Sequence, residues 1–217
     1  MDSKSCKTGK MAPRTYKLSY LPFKGRAESV RIAFFVAGIE FEDERIPLTE
    51  FGERKKDLPL GQLPVLTIDG SIVITQQVAI LEYVGAQGGL VPTDHLIKAY
   101  NDEIINLLED LTYRTSATIQ MPEEKKKEAR AILNNHTIPK YAKALDGILA
   151  THDKKHAVRA QLSTSDILIN RVVEQLESGM LDGISKDILK PYAHIQRVQK
   201  AFLENEKIKQ YFAKVAK

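Results

Sequence analysis

A tyrosine at the end of a predicted strand is the first residue in this sequence whose place favours chemistry. The stretch "TYKLSYLPFKGRAESVRIAFFVAG" alternates up to Tyr20 and then passes through a turn containing Pro and Gly into an apolar helix. Open α/β sheets bind ligands where a strand's carboxyl end faces a helix start, because backbone N–H groups and the helix dipole converge there. Tyr20 is therefore a candidate ligand-binding residue, although an isolated tyrosine at such a place more often only packs.

Two further stretches fall at the same end of the predicted sheet. Gln62, Leu63 and Pro64 lead into a strand, and a cis Leu63–Pro64 bond would leave the Leu63 N–H and C=O free for an extended, peptide-like ligand. An ordinary trans proline is the alternative. Gln76 and Gln77 begin the next helix, whose free N–H groups suit a carboxylate, although a solvated first turn is the simpler interpretation. The convergence of the three places favours a binding site.

The elements that must position these residues are predicted from periodicity. Residues 16–46 show the order strand, helix, strand, with Gly38 closing the helix. "PVLTI" and "SIVIT" flank Asp69-Gly70, a strong hairpin signal, and "QQVAILEYVGAQ" has helical spacing of its apolar residues. The first part of the chain is therefore predicted to be an α/β domain with a mixed sheet.

From Pro92 onward the patterns are helical, with long helices first and shorter helical segments from Ser163, Asp187 and Glu206. In "LSTSDIL", Ser163 is predicted as an N-cap and Asp166 as its capping-box partner. We therefore predict an all-α helical bundle after the α/β domain. The predicted boundaries are a disordered leader at 1–14, an α/β domain at 15–87, a linker at 88–93 and the bundle at 94–217.

Composition excludes several classes of function. The 32 basic and 28 acidic residues are spread along the chain, which argues against a nucleic-acid-binding surface. Cys6 is the single cysteine, and neither a signal peptide nor a membrane span is evident, so a cytoplasmic location is predicted. His152 and His156 have the spacing of a helical zinc pair but lack the glutamate and a third ligand. They are interpreted as a solvated helix end, and no metal is predicted.

Together, "YKLSY…GRAESVRIAFFVAGIEFEDERI", "LPLGQLPVLTIDG" and "TQQVAILEYV" resemble the cytosolic glutathione transferases, most of all the sigma class and its prostaglandin D synthase relatives. The resemblance implies a thioredoxin-like domain with a mixed four-stranded sheet, followed by the helical bundle. It also implies glutathione as co-substrate, hydrophobic electrophiles as second substrates, and a homodimer.

The resemblance also assigns site residues. It makes Tyr20 the catalytic tyrosine, with Arg26 supporting it. A phenol O–H that donates to a sulfur anion, with a guanidinium nearby, is a plausible way to lower a thiol pKa from its usual ~8.5. Glutathione would be held by residues around the end of the sheet and by one acidic residue of the partner subunit: Phe51, Lys55, Gln62, Leu63, Pro64, Gln76, Gln77 and Asp102.

Three positions depart from the family pattern. Phe51 replaces a usual tryptophan, and Arg159 replaces a usual glycine. Gln77 replaces a serine or threonine whose hydroxyl binds the γ-glutamyl carboxylate. Phe51 and Gln77 keep a second hypothesis open, in which the fold is a non-catalytic ligand carrier or a crystallin-like structural protein. Glutathione-dependent prostaglandin isomerase activity is a subordinate possibility within the enzyme hypothesis.

Overall fold

The computed structural model describes residues 14–152 and 154–216, so almost all of the predicted leader, including Cys6, lies outside the described residues. The described chain begins with a mixed four-stranded sheet of order β2-β1-β3-β4, formed by β1 (Tyr16–Tyr20), β2 (Glu42–Arg45), β3 (Val65–Ile68) and β4 (Ile72–Thr75). Strands β1 and β2 are parallel, whereas β3 pairs antiparallel with both β1 and β4. The predicted strand order along the chain and the hairpin are confirmed.

Helices α1 (Ala27–Ala37), α2 (Leu48–Arg54) and α3 (Gln77–Gln87) complete this part of the chain. Gly38 ends α1 at φ 70°, the left-handed conformation that glycine adopts without strain, as the sequence predicts. Helix α2 was not predicted, because it buries none of its residues and therefore shows no apolar periodicity.

The core of this part forms between the sheet and the helices α1 and α3. The central strands β1 and β3 contribute Leu18 and Leu66, both fully buried, and the helices contribute Phe34 and Ile80. Because β1 lies between two neighbours and its residues are mostly buried, the direction of its carboxyl end is fixed. The residue at that end is Tyr20.

The rest of the described chain is helical, as predicted. It comprises α4 (His95–Ala117), α5 (Glu123–Ile132), a π-helical segment (Leu133–Thr137), α6 (Ile138–His152), α7 (Thr164–Glu177), α8 (Ala193–Leu203) and α9 (Glu206–Val215). The helical segment predicted from Asp187 is wrong in its start, since residues 187–191 form turns and α8 begins only at Ala193. Pro191 explains the difference, because a proline disfavours helical conformation in the residue before it.

The start of α7 is closed by its own side chains. The Asp166 carboxylate accepts from the backbone N–H groups of Ser163 and Ala157, each at 2.9 Å, while Ser163 completes the predicted capping box. His156 Nδ1 lies 3.2 Å from the same carboxylate, and His156 is buried. The interpretation of His156 as part of a solvated helix end is therefore wrong: it packs against the helix cap. Asp153, between the two histidines, lies outside the described residues.

Among the contacts between the helical part and the α/β part, two sets lie at the connecting segment and at helix α9. Arg159 donates to the backbone oxygen of Gly89, at 2.7 Å, and thereby fixes the connecting segment. At the far end of the chain, Lys207 of α9 donates to the Val36 backbone oxygen, and Tyr211 donates to Glu28 of α1 at 2.8 Å. Burial, and then the charge of Glu28, raises the pKa of Tyr211, so the phenol stays a donor.

Within the residues that the structure describes, none of the helices is both long and apolar enough to cross a membrane.

Candidate active site

An open cleft of about 690 Å³ lies between the end of the sheet and helix α4. The α/β part contributes most of the residues predicted from the sequence, and α4 forms the facing wall. Among the lining residues are Tyr20, Arg26, Phe51, Gln62, Leu63, Pro64, Gln76, Gln77, Glu109, Asp110 and Tyr113. The three stretches that the sequence places at one end of the sheet thus meet in one cavity.

Tyr20 is held in the cleft through its hydroxyl oxygen. The backbone N–H of Arg26 donates to this oxygen at 3.0 Å, and the Phe23 ring packs edge-on against the tyrosine ring. Gly25 makes this close approach possible, because a Cβ there would lie 2.5 Å from the hydroxyl oxygen and its φ is +47°. A hydroxyl can accept and donate at once, and in the described chain the Tyr20 proton has no acceptor among the hydrogen bonds. That proton remains available to a ligand.

The Arg26 guanidinium points across the cleft to α4. Its Nη1 donates to Glu109 Oε2 at 3.0 Å, so Arg26 contacts Tyr20 through its backbone and not through its charge. The predicted support of Tyr20 by Arg26 therefore has a specific form: the backbone fixes the hydroxyl, while the side chain brings a positive charge to the rim of the cleft.

Glu109 also contacts a second guanidinium, which belongs to no motif in the sequence. Arg171 of α7 lies 3.5 Å from Glu109 Oε1 and donates to Thr112 Oγ1 at 2.7 Å. Burial lowers the pKa of Arg171 to about 10, against the opposing effect of the Glu109 charge. Glu109 and Arg171 belong to different helices, and their pairing is visible only once α4 and α7 are packed together.

The Leu63–Pro64 peptide bond is cis, and Leu63 lines the cleft. In the described residues, neither the N–H nor the C=O of Leu63 has a hydrogen-bond partner in the chain. Gln62, beside it, is exposed. This segment therefore presents free backbone groups to an extended ligand.

The start of α3 is open and strained. Gln76 has φ 70° and ψ 119°, a conformation that costs a non-glycine residue roughly 1–3 kcal/mol, and no side chain caps the helix. Such strain is concentrated at ligand-binding positions in proteins. The unfilled first turn of α3 can accept an anion from the cleft.

Gln77 does not supply the hydroxyl-like donor that the family pattern calls for. Its side chain is buried, and Nε2 donates to Ser29 Oγ of α1 at 2.8 Å. Because the Ser29 hydroxyl itself donates to the Arg26 backbone oxygen, the Gln77 amide orientation follows from the network. Gln77 Oε1 is buried without a partner. The amide is thus committed to helix packing, and only the backbone of Gln77 is left for a carboxylate.

Two predicted residues are not among those that line this chain's cleft. Lys55 is exposed and its stem lies against Gly61, at the margin of the cleft. Asp102 on α4 accepts from Lys98 Nζ at 2.6 Å and was predicted to act from the partner subunit, on which a single chain gives no information. Of the aromatic residues suited to a second substrate, Tyr113 lines the cleft, and Phe23 is half exposed beside Tyr20.

The described residues contain no cluster of three or more histidine, cysteine or acidic side chains arranged to hold a metal ion. The chemistry offered by the cleft is instead that of hydrogen-bond donors around an anionic ligand: the Tyr20 hydroxyl, the Leu63 N–H, the first turn of α3 and the Arg26 charge. Sheet, cleft and bundle define a two-domain protein in which a thioredoxin-like domain carries a candidate ligand site against a helical wall.

Comparison with known proteins identifies the family. The pattern of the glutathione S-transferase N-terminal domain matches residues 16–86, and that of the C-terminal domain matches residues 109–215. A glutathione S-transferase of Anopheles gambiae is 28% identical over 201 residues, which are 92% of this chain and 96% of that protein. The hematopoietic prostaglandin D synthase of Gallus gallus is 32% identical over 151 residues, 70% of this chain and 74% of that protein.

Among solved structures, the prostaglandin synthase D of Nilaparvata lugens superposes with a TM-score of 0.83 at 28% identity, covering 92% of this chain and 98% of that one. The chain belongs to the glutathione S-transferase family, with prostaglandin D synthases among its relatives. It shares its fold with a sigma-class glutathione transferase of Fasciola hepatica, at 20% identity and a TM-score of 0.81, over 94% of this chain and 98% of that one. Enzyme class, fold class and family resemblance predicted from the sequence are confirmed.

Proposed function

We propose that the protein is a glutathione transferase in which Tyr20 stabilises the thiolate of bound glutathione for attack on hydrophobic electrophiles. The observation that carries the proposal is the Tyr20 hydroxyl, which is fixed by the Arg26 N–H and keeps its own proton free toward the cleft. A phenol held in this way is a donor without a protein acceptor, and a thiolate is an acceptor without a proton.

The required decrease in the pKa of the glutathione thiol is modest. A thiol of pKa ~8.5 is only a few per cent ionised at neutral pH, and lowering that pKa by ~2 units requires about 2.7 kcal/mol. A charge-assisted hydrogen bond contributes ~1.5–3 kcal/mol, so one well-placed phenol supplies most of it. The positive charge of Arg26 at the rim acts in the same direction.

Glutathione would be held as an extended peptide along the sheet end. Its cysteinyl backbone pairs with the free N–H and C=O of Leu63, and its γ-glutamyl carboxylate lies at the open start of α3, beside Gln76. Gln62 and Pro64 flank Leu63 along the cysteinyl backbone. Phe51 lies at the glycyl end, which Lys55 reaches from the margin of the cleft. Asp102 of the partner subunit completes the site at the amino group in the proposed homodimer.

The reaction is a nucleophilic displacement or addition. The thiol proton passes to solvent, and the sulfur electron pair forms a C–S bond with the electrophilic carbon. With an aryl halide, the carbon–halogen bond breaks and the halide leaves with the bonding pair, giving a thioether. The electrophile would lie between Tyr20 and Tyr113 on the helical wall.

Prostaglandin isomerase activity is a second candidate, favoured by one observation. Relatives at 32% and 28% identity are named as prostaglandin D synthases. In that case the thiolate attacks one oxygen of a cyclic peroxide, so that an S–O bond forms while the O–O bond breaks and the other oxygen becomes an alkoxide. Loss of the proton from the carbon that bears the sulfur-bound oxygen then forms a C=O bond and expels the thiolate, the alkoxide takes up a proton, and glutathione is not consumed. Both candidates need the same thiolate, and they differ only in the electrophile.

A non-catalytic carrier is the alternative on the same fold. The side chain of Gln77, committed to Ser29, is the observation that favours it, because the γ-glutamyl site lacks a hydroxyl donor. Against it are the open first turn of α3, the strained Gln76 and the free Tyr20 proton, which a decayed site has no need to retain.

The deciding experiment combines retention on immobilised glutathione with a conjugation assay using a chloronitrobenzene substrate. We expect both retention and turnover. Retention without turnover on this substrate or on a prostaglandin endoperoxide would favour the carrier, and loss of both would contradict the proposal as a whole.

A further inference from the structure

Arg171 is a buried cation behind the candidate active site. It is 9% exposed, and one of its nitrogens, Nε, is buried without a partner in the described chain. Its other contacts are Thr112 at 2.7 Å, Gln175 at 3.3 Å and the Glu109 carboxylate at 3.5 Å. Burying a guanidinium is costly, and a methionine or leucine would pack among the apolar residues of α7 at lower cost. The position therefore calls for an explanation beyond packing.

Arg26, Glu109 and Arg171 form a chain of charges of alternating sign behind Tyr20. Arg26 donates to one oxygen of Glu109, and Arg171 lies beside the other. Two guanidinium groups and one carboxylate leave one net positive charge. With Arg171 absent, Arg26 and Glu109 would form a neutral pair, and Asp110, which also lines the cleft, would leave the rim with a negative charge.

We propose that Arg171 is a positioning residue for the thiolate: by holding Glu109 from behind, it prevents that carboxylate from cancelling the Arg26 charge at the cleft. The inference rests on the proposed function, since it concerns the ionisation of bound glutathione. Arg171 touches neither Tyr20 nor the substrate site directly and acts through Glu109.

Other charged groups around the cleft do not replace this role. Arg31 lies with its guanidinium 5.9 Å from the Tyr20 ring centre, but it is paired with Asp43 and Glu28. Lys24 is paired with Glu174. The titratable and charged groups that line the cleft, or that form ion pairs beside it, are Tyr20, Lys24, Arg26, Glu28, Arg31, Asp43, Glu109, Asp110, Tyr113, Arg171 and Glu174.

The test is the pH profile of kcat/KM for conjugation, together with the ultraviolet absorbance of the thiolate in the glutathione complex. Arg171→Met keeps the volume and removes the charge. It should raise the apparent pKa of the bound thiol by about one unit, the effect expected of one charge roughly 10 Å away in a partly screened interior. Activity would fall about tenfold near pH 6 and recover toward the wild-type value at high pH, where the thiol ionises without help.

Two further variants should shift the apparent thiol pKa in the opposite direction or restore it. Glu109→Gln removes the negative charge, so the apparent thiol pKa should fall and the activity plateau should extend to lower pH. Arg171→Lys keeps the charge and should restore most of the wild-type profile. Arg197→Met is the matched control, because Arg197 of α8 contacts the Leu149 backbone oxygen away from the cleft.

The outcomes separate the two proposals. If the wild-type protein binds glutathione and turns over, but the Arg171→Met profile coincides with that of Arg197→Met, the inference is wrong and the proposed function stands. If wild-type protein neither binds nor ionises glutathione, both fall. Should Arg171→Met not fold, the Glu109→Gln profile decides: an unchanged or raised thiol pKa overturns the inference, and a lowered one supports it.

Discussion

Helices α3 and α7 begin in opposite ways. At α7, Ser163 and Asp166 satisfy the first turn from within the chain, and both residues are fully buried. At α3, no side chain caps the first turn, Gln76 is exposed, and its backbone is held at φ 70°. In both first turns the backbone N–H groups have no partner within the helix. At α7 side chains accept from them, whereas at α3 they are open to the cleft.

The difference separates the residues that maintain the fold from those proposed to bind a ligand. A closed helix start contributes to the free energy of unfolding whether or not a ligand is bound. An open start with a strained residue lowers that free energy and is useful only if something binds there. We therefore expect substitutions at α7 to change stability without changing affinity, and substitutions around α3 and Tyr20 to do the reverse.

The largest effect is expected from Asp166→Ala, at the closed start. It removes the acceptor for two buried backbone N–H groups and for His156, and should lower the free energy of unfolding by about 3–5 kcal/mol. Urea unfolding measures this, with the exposed Asp187→Ala as control. Folded Asp166→Ala protein should bind glutathione as the wild type does; a loss below about 1 kcal/mol would contradict the importance given to this cap.

Tyr20→Phe is expected to have the next largest effect, and on function alone. Losing the hydroxyl removes the donor to the thiolate, so the thiol pKa should return toward ~8.5 and turnover at neutral pH should fall about 25-fold, equivalent to about 1.9 kcal/mol. Glutathione affinity and melting temperature should stay nearly unchanged. The control is Tyr192→Phe, whose hydroxyl contacts the Pro139 backbone oxygen in the bundle. Equal activity of Tyr20→Phe and wild type across pH would disprove the role of Tyr20.

In a homodimer, a residue of the second chain would complete the ligand site beside the open start of α3. We expect sedimentation at micromolar concentration to give a dimer, and Asp102→Ala to weaken glutathione binding about tenfold, equivalent to about 1.4 kcal/mol, since one charged contact to the amino group is lost. The neighbouring exposed Glu103→Ala is the control. A fully active monomer would remove both the dimer and the role of Asp102.

The smallest effect is expected at Gln77, where the open start departs from the family pattern. Gln77→Ser adds a hydroxyl for a carboxylate that the backbone N–H and the helix dipole already hold, so it contributes less than the full ~1.5–3 kcal/mol of a charged hydrogen bond. Losing the hydrogen bond to Ser29, worth ~0.5–1.5 kcal/mol, lowers the free energy of unfolding and not the affinity. We expect glutathione to bind about fivefold more tightly, a gain of about 1 kcal/mol. Calorimetry on the pair measures it, and unchanged or weaker binding by Gln77→Ser would show that the glutamine is no weakness.

Much of the fold was predictable because its signals are local. The alternation in "YKLSY", the Asp69-Gly70 hairpin and the Ser163–Asp166 cap each depend on residues that are close in sequence. Helix α2 was not predictable because none of its residues is buried. The helix predicted from Asp187 starts too early because Pro191 disfavours helical conformation in the residue before it. The domain boundaries at 87 and 93 remain predictions.

The candidate site was predictable where it depends on the ends of strands and helices. The meeting of Tyr20, Leu63 and Gln76 follows from the order of elements along the chain. Contacts made by long side chains between elements were not predictable: the pairing of Glu109 with Arg171 and of Gln77 with Ser29 requires the distances between packed helices. The buried His156 was misread for the same reason, since its partner Asp166 lies in the following helix.

The contact between α9 and α1 has a consequence for how the chain is made. Glu28 and Arg31 are buried in α1. Tyr211, whose hydroxyl donates to Glu28, lies 183 positions further along the chain. At about 5–20 residues per second, the ribosome needs roughly 10–40 s to synthesise that interval. During this time α1 carries a polar surface whose last partner has not yet emerged. The α/β part therefore cannot complete its packing first and wait, and the two parts of the protein are expected to reach their final packing together, after synthesis of α9.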